Sequence, residues 1–357
     1  MSLRFSESVK VDNQVSSKKH HWRLVNLIFK IMQESINPTP ETQDTAFNSL
    51  ADMAAMSGAH HATYTMNNTF MDSVEDHLSI AEHGQQDKDI WARYIHNKED
   101  VDGLQMPGLD SSYKAQYNGV VGGGDFYKKN AATIGAAMIY GTGDVTASNI
   151  AAYSKNDTKY YGLSLYGRLT RNDNALLGDV TYLRSKNDIK QLNSTQEITG
   201  NAHINTYSLG LRGEHRFHVG SNGDLVPFVG LRYTHLGSYD FTNNYGLQYK
   251  MDDQNIWTMP VGLAYRMNIQ RGNWTIHPKV EIGYAWTAGD RDVNQTVTLA
   301  GIATNGLGYQ VTDSGSWFTK LGLGAENNTW GYGVNYAHQK GSYTRANTWS
   351  ANLVYKF

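Results

Sequence analysis

The stretch WSANLVYKF, Trp349 to Phe357, places Trp349, Ala351, Leu353, Tyr355 and Phe357 at every second position, with Ser350, Asn352, Val354 and Lys356 between them. Side chains two apart along an extended chain share a face, so the spacing predicts a strand with one broad apolar side. The unpaired edge of such a strand invites aggregation. Both the edge and the greasy face need a cover, and identifying that cover decides the fold.

The same alternation recurs upstream. WTMPVGLAYRMNI sets Trp257, Met259, Val261, Leu263, Tyr265, Met267 and Ile269 on one side, and WGYGVNYAH does the same with Trp330, Tyr332, Val334 and Tyr336. About twelve such segments follow Asp89, most near the roughly 9–11 residues that a tilted strand needs to cross a bilayer. Brief turns are expected at Lys128–Asn130, Arg171–Asn174, Ser221–Gly223, Gln270–Asn273 and Asn327–Asn328. They alternate with longer polar stretches near 97–112, 142–157, 185–202, 237–254, 288–314 and 338–346. Short connections on one side and long ones on the other are the asymmetry of an outer-membrane barrel, which neither a β-sandwich nor a propeller predicts.

The two faces agree with that reading. Opposite the apolar face lie Arg168, Asp179, Arg212, Glu214, Arg232, Arg266, Lys279, Glu281 and Lys320 with many glycines. Aromatics cluster at strand ends, as in membrane-interface girdles, so the apolar face belongs against lipid and the charged set lines a pore. A closed ring leaves no backbone edge unsatisfied in the membrane. The last strand therefore pairs with the first, around Ile90 to Ile95.

Composition supports this. The 357 residues include 35 Gly, 23 Tyr and 8 Trp against 6 Pro and no Cys, and the net charge of −2 carries no electrostatic footprint for nucleic acid. No run of about 18 apolar residues offers a membrane-spanning helix. Leu24–Met32, which follows Lys18, Lys19 and Arg23, reads as an amphipathic helix rather than an export signal.

Before the barrel the period changes. Phe47, Leu50, Met53, Met56, Tyr64, Phe70, Met71, Val74 and Leu78 recur at three- and four-residue steps, interrupted by Gly58, and small residues crowd SLADMAAMSGAHHA. The expected organisation is residues 1–40 as a linker or residual passenger, disordered or a short helix, 41–88 as a pore helix with a polar connector, and 89–357 as the barrel.

SGAHHA with the helix after it, IWARY opening the first strand, YNGVVGGGDF in the second and the terminal WSANLVYKF together resemble the translocator domain of type V secretion autotransporters, over roughly Leu50 to Phe357. The resemblance implies a helix threading the pore, a passenger delivered to the cell surface, no enzymatic turnover, and a home in the outer membrane of a Gram-negative-type bacterium. It also implies that Trp349, Ala351, Leu353, Tyr355 and Phe357 are read by the outer-membrane assembly machinery. The expected partners are lipid, that machinery and the chain's own passenger, around a monomeric barrel. Residues 1–40 hold no repeat-rich passenger, so the expectation is a C-terminal fragment, a broken gene or a passenger-poor member.

Independently of the resemblance, a ring of about twelve strands encloses more space than its own side chains fill. One helix, about 10–12 Å across, would occupy it. Asp72, Glu75 and Asp76 on the helix are expected to meet Arg168, Arg212, Arg232 or Arg266.

Other motifs yield less. One autotransporter subfamily self-cleaves at an Asn-Asn pair, implying such a role for Asn67 and Asn68 assisted by Asp179. Arg212 and Gly230 stand where further acids are expected, so an ordinary helical position is the stronger reading. Gly122–Asp125 is a glycine kink rather than a phosphate loop, since no helix follows. His20-His21 and His60-His61 lack metal-ligand spacing, and neither metal nor cofactor is expected. The rival functions are an outer-membrane channel or adhesin acting through long loops, and a membrane-embedded esterase or protease.

Overall fold

A computed structural model of the chain describes residues 40–79, 89–102, 112–129, 131–147, 153–192, 197–244, 246, 248–299, 302–305 and 309–357. The expected linker at 1–39, with Leu24–Met32 and His20-His21, and the connector Glu82–Lys88 lie outside the described residues, as do the side chains of Phe47, Leu50, Met53 and Met56.

Helix α1 (Pro40–Leu78) precedes twelve long strands. These are β1 (Asp89–Val101), β2 (Tyr113–Lys129), β3 (Ala132–Ala147), β4 (Tyr153–Arg171), β5 (Asn174–Leu192) and β6 (Glu197–His215), then β7 (Gly223–Leu236), β8 (Gln254–Met267), β9 (Trp274–Gly289), β10 (Gly315–Glu326), β11 (Trp330–Lys340) and β12 (Thr344–Lys356). Each pairs antiparallel with the next, and β12 returns to β1 from Asp89 opposite Lys356 to Val101 opposite Thr344. The terminal strand is thus covered on both edges, by β11 and by β1.

The alternation read from sequence sets the faces. Leu165 is 62% and Trp257 46% exposed, and Trp349, Leu353, Tyr355 and Phe357 lie on the same outer surface. Outward exposure of large apolar groups on every strand, with polar side chains within, is the polarity of a barrel whose solvent is lipid. Every strand except β2 contributes a Tyr or Trp to a band around one end of the apolar belt, among them Tyr94, Tyr140, Tyr161, Tyr207, Trp286 and Trp349.

The strands run 11–19 residues, longer than the bilayer requires. The stretches near 142–157, 185–202 and 338–346, expected as loops, are largely strand, because inward residues such as Val145, Asn156, Asn187 and Ile204 stay buried beyond the aromatic band. Backbone groups must pair whether lipid or water lies outside. The loop regions after β7 and β9 fold further into a small sheet of Ile302–Asn305, Gln295–Leu299, Gln248–Met251 and Tyr239–Thr242. A core of Tyr239, Phe241, Tyr249, Met251, Tyr309 and Val311 joins this cap to Ala59 and Tyr64 of α1. On the opposite side the turns are tight. Asn172 takes φ 53° between β4 and β5, a left-handed geometry that Asn tolerates.

One local expectation changes. Gly58 does not interrupt α1; the helix runs through it, and the missing side chain makes room for the wall, since a Cβ there would sit 2.8 Å from Val145 Cγ1. The glycine run of β2 stays in the sheet, with Gly123 lying under the Trp91 indole and a register shift following between Asp125 and Tyr127.

Candidate functional site

The site is the pore, and α1 fills much of it. From Gly58 to Ser79 nearly every side chain of the helix is buried, polar and apolar alike. A helix polar on all sides is stable only where its surroundings answer each group, and the wall does so in two registers.

Near the cap the partners are mostly neutral. His60 Nδ1 lies 2.8 Å from the Tyr309 hydroxyl, Thr63 Oγ1 2.7 Å from Ser185 Oγ, and the Tyr64 hydroxyl 2.9 Å from Thr258 Oγ1. Asn67 Nδ2 donates to Ser208 Oγ at 2.8 Å. The exception is His61, whose Nδ1 donates to the Val311 carbonyl at 2.6 Å while Nε2 lies 2.9 Å from Glu99 Oε1. Both ring nitrogens face acceptors, an arrangement that holds the imidazolium form. In the cap, burial pushes the Tyr239 and Tyr309 hydroxyls above the usual phenol range.

Toward the tight turns the bonds become ionic. Asp72 meets Arg232 at 2.5 Å, Glu75 meets Arg232 at 2.8 Å and Arg212 at 3.7 Å, and Asp76 meets Arg93 at 2.8 Å and Lys320 at 3.3 Å. Arg212 also lies 2.9 Å from Glu214 and 3.9 Å from Glu281, and stacks over the Phe228 ring at 3.7 Å. Ser79 Oγ donates to Glu214 at 2.8 Å, and Arg168 donates to the Leu78 carbonyl at 2.9 Å, which caps the helix C-terminus with a cation.

Arg168, Asp179, Arg212, Glu214, Arg232, Arg266, Lys279, Glu281 and Lys320 all occupy inward positions of their strands. Of the four arginines expected to meet the helix acids, Arg212 and Arg232 do. Arg168 binds a helix carbonyl instead, and Arg266 lies against His277 and Glu326 with Lys356 beside them. Sequence reading missed Arg93 and Glu99. Their signal was parity, since both share the inward positions of β1 with Trp91 and Ile95.

Asn67 and Asp179 are not brought together by a hydrogen bond. The Asp179 carboxylate accepts from Thr181 Oγ1 at 2.8 Å and lies beside Gly210 and the Met71 methyl, one helical turn from Asn67. Arg212 and Gly230 face each other across β6 and β7. Where acids would assist Asn cyclisation, the wall thus presents a guanidinium held by Glu75, Glu214 and Glu281. His77, Asp89 and Asp125 bring donor atoms within 4.8 Å of one another at the end of α1, but Arg168 and Lys128 line the same space, and His77 bonds Asp125 while stacking on Trp91.

The helix is off-centre. Its backbone lies closest to β2–β6, and a cavity of about 160 Å³ remains on the other side, lined by Thr69, Asp72 and Asp76 of α1 and by Asn97, Asn335, Thr348 and Ser350 of the wall. Inward Gly322, Gly331 and Gly333 widen that side.

A family model described as the autotransporter beta-domain matches residues 90–337. None of the curated proteins matches the chain. Among solved structures, the translocator domain of autotransporter NalP from Neisseria meningitidis is similar at a TM-score of 0.61 and 18% identity, covering 85% of this chain and 99% of that one. The transport unit of the autotransporter AIDA-I from Escherichia coli gives 0.60 and 15%, covering 84% and 99%. The beta domain of the Bordetella autotransporter BrkA gives 0.60 and 13%, covering 76% and 100%. At these identities the likeness is one of fold.

Proposed function

The chain belongs to the autotransporter β-domain family, the outer-membrane translocator of type V secretion, and on that premise we propose that α1 is the tether through which it holds an N-terminal passenger at the cell surface. The family's task is transport rather than catalysis. The observation that carries the reading is the direction of the helix. His60 and His61 bond the long-loop cap, while Leu78 and Ser79 bond Arg168 and Glu214 near the tight turns. Long loops face outward and tight turns the periplasm in such barrels. A segment preceding α1 is therefore presented outside, and the Arg93, Arg212, Arg232 and Lys320 lock retains it.

The absence of cysteine makes the test direct. A Ser49→Cys variant is expected to react with a membrane-impermeant maleimide on intact cells, whereas Asn172→Cys reacts only after the outer membrane is permeabilised. The reverse pattern would overturn the orientation and the tether with it.

The lipid-facing row Trp349, Ala351, Leu353, Tyr355 and Phe357 supports a second role, as the signal taken up by the barrel assembly machinery of a monomeric barrel. Phe357 is 60% exposed and its ring stacks with Tyr355, so it is displayed rather than needed for packing. Removal of Phe357 is expected to lower assembly in cells while leaving refolding of purified chain into detergent unchanged. Equal loss in both settings would make the residue structural. Asn67, Asn68 and Asp179 fit a packing role, and an intact N-terminal segment in the mass of the purified barrel is the expected result.

A further inference from the structure

Beyond the aromatic band, the outward surface of β11, β12, β1 and β2 is strongly cationic. Past Tyr336, Trp349 and Tyr94, its outward positions hold His338, Lys340, Arg345, His96, Lys98 and Lys114. Lys340 stands directly opposite Arg345, and among the described residues neither these two nor Lys98 and Lys114 form an ion pair. Like charges opposed across a sheet are destabilising unless something neutralises them. Of the strip's carboxylates, Asp102 lies at the upper rim and Asp100 stands between Arg345 and Lys114 in the cationic row, where among the described residues it forms no ion pair with either, so four Lys and Arg side chains face two carboxylates. Elsewhere the same height carries ion pairs of its own, even where Lys159 stands opposite Lys186: Lys155 lies 3.1 Å from Asp144 and 2.6 Å from Asp157, Lys186 3.4 Å from Asp188, and His235 3.8 Å from Asp253.

The lower edge of the strip is built to a pattern. The Tyr336 hydroxyl and His338 Nδ1 both bond Asn347 Oδ1, at 2.7 and 2.9 Å, and the Tyr94 hydroxyl and His96 Nδ1 both bond Asn118 Oδ1, at 3.0 and 2.8 Å. An amide oxygen only accepts, so Nδ1 carries the proton and each ring is left with Nε2 for a partner outside the chain. Two residues of tilted strand rise about 5 Å, which sets the imidazoles about 5 Å and the Lys and Arg groups about 10 Å beyond the aromatic band. Interfacial aromatics sit at headgroup level, so these cations stand where phosphates and sugars of the outer leaflet lie.

We propose that this strip, straddling the pairing of β12 with β1, binds the phosphorylated sugar headgroup of an outer-leaflet glycolipid. Arg345 and Lys340 supply charge-assisted hydrogen bonds to phosphate, Lys98 and Lys114 flank them, and Tyr94, Tyr336 and Trp349 support the acyl boundary below. The site uses the orientation of the barrel but not its role in secretion, so it stands or falls separately from the tether.

Native mass spectrometry of the full chain folded in detergent, titrated with bisphosphorylated lipid A, tests it. The Lys98→Ala, Lys340→Ala and Arg345→Ala triple variant is expected to bind about tenfold less, and Arg345→Gln alone about threefold less. A Lys155→Ala, Lys186→Ala control is expected to match wild type, and heat-modifiable mobility in gels confirms that each variant is folded. Dephosphorylated lipid A is expected to bind weakly, and inorganic phosphate at equal concentration to compete little. Undiminished binding by the folded triple variant and Arg345→Gln, or equal binding of the dephosphorylated lipid, would overturn the site. Full displacement by inorganic phosphate would make it an anion site rather than a lipid site and overturn the proposal equally.

Discussion

The two halves of the pore hold the same helix by different chemistry. In the outer half, α1 is fixed by mostly neutral hydrogen bonds and the aromatic cap, through His60, Thr63, Tyr64 and Asn67. In the periplasmic half it is fixed by Asp72, Glu75 and Asp76 against a basic wall. Neutral bonds exchange nearly evenly with water, whereas a buried charge stripped of its partner is left with a desolvation cost that nothing repays. The outer half therefore fixes position, and the periplasmic half makes departure of the helix costly for the wall as well as for the helix.

The comparison can be broken most completely by removing the guest. Deletion of Leu50–Ile80 is expected to raise single-channel conductance in planar bilayers several-fold and to shift reversal potentials toward anion selectivity, since Arg93, Arg212, Arg232, Lys279 and Lys320 are left lining the lumen. Unchanged conductance would show that α1 is no plug. Next in size, Glu75→Ala leaves Arg232 to the half-exposed Asp72 and Arg212 to Glu214 and Glu281, and is expected to cost about 1–3 kcal/mol, read from the midpoint of heat-modifiable gel mobility. Adding Arg232→Ala should cost less than the sum of the two single changes, because the pair acts as a unit.

Gly58→Val probes the outer half by overpacking. Its Cβ would meet Val145 Cγ1 at 2.8 Å, and a loss of about 1–3 kcal/mol in the same assay is expected. Asn67→Ala removes the bond to Ser208 and is expected to cost about 1 kcal/mol, measured by chemical denaturation followed by tryptophan fluorescence. The smallest effect sharpens the contrast within the ionic half. The Asp72 side chain is 41% exposed, so Asp72→Asn is expected to cost only about 0–1 kcal/mol despite its short contact with Arg232. A loss as large as that of Glu75→Ala would show that burial does not grade these pairs.

The strand pattern was legible in the sequence because the alternation of lipid-facing and lumen-facing residues is local, and tryptophan and tyrosine mark where each strand meets the interface. Parity gave the direction of Arg212, Arg232 and Lys320 in the same way. It could not give their partners, which depend on how far down the pore each turn of the helix descends. Arg93 thus took the place assigned to Arg168, whose level is that of the last helix carbonyl rather than of Asp76. Strand ends were misplaced where polar inward residues continue past the apolar belt, as in β4 and β5. The cap was not legible, because its strands pair across long separations, as Gln248–Met251 does with Gln295–Leu299.

The pairing of β12 with β1 joins the last-made strand to the first. No complete ring of rungs exists until the final residues have been synthesised, and this docking is the most non-local event in the chain's assembly, the kind that is slow because its loop entropy is lost before any contact compensates. Helix α1 precedes the whole ring in order of synthesis. Gate closure and guest capture thus become one kinetic problem: the sheet must curl around a segment already present, or admit it by threading through a finished hoop.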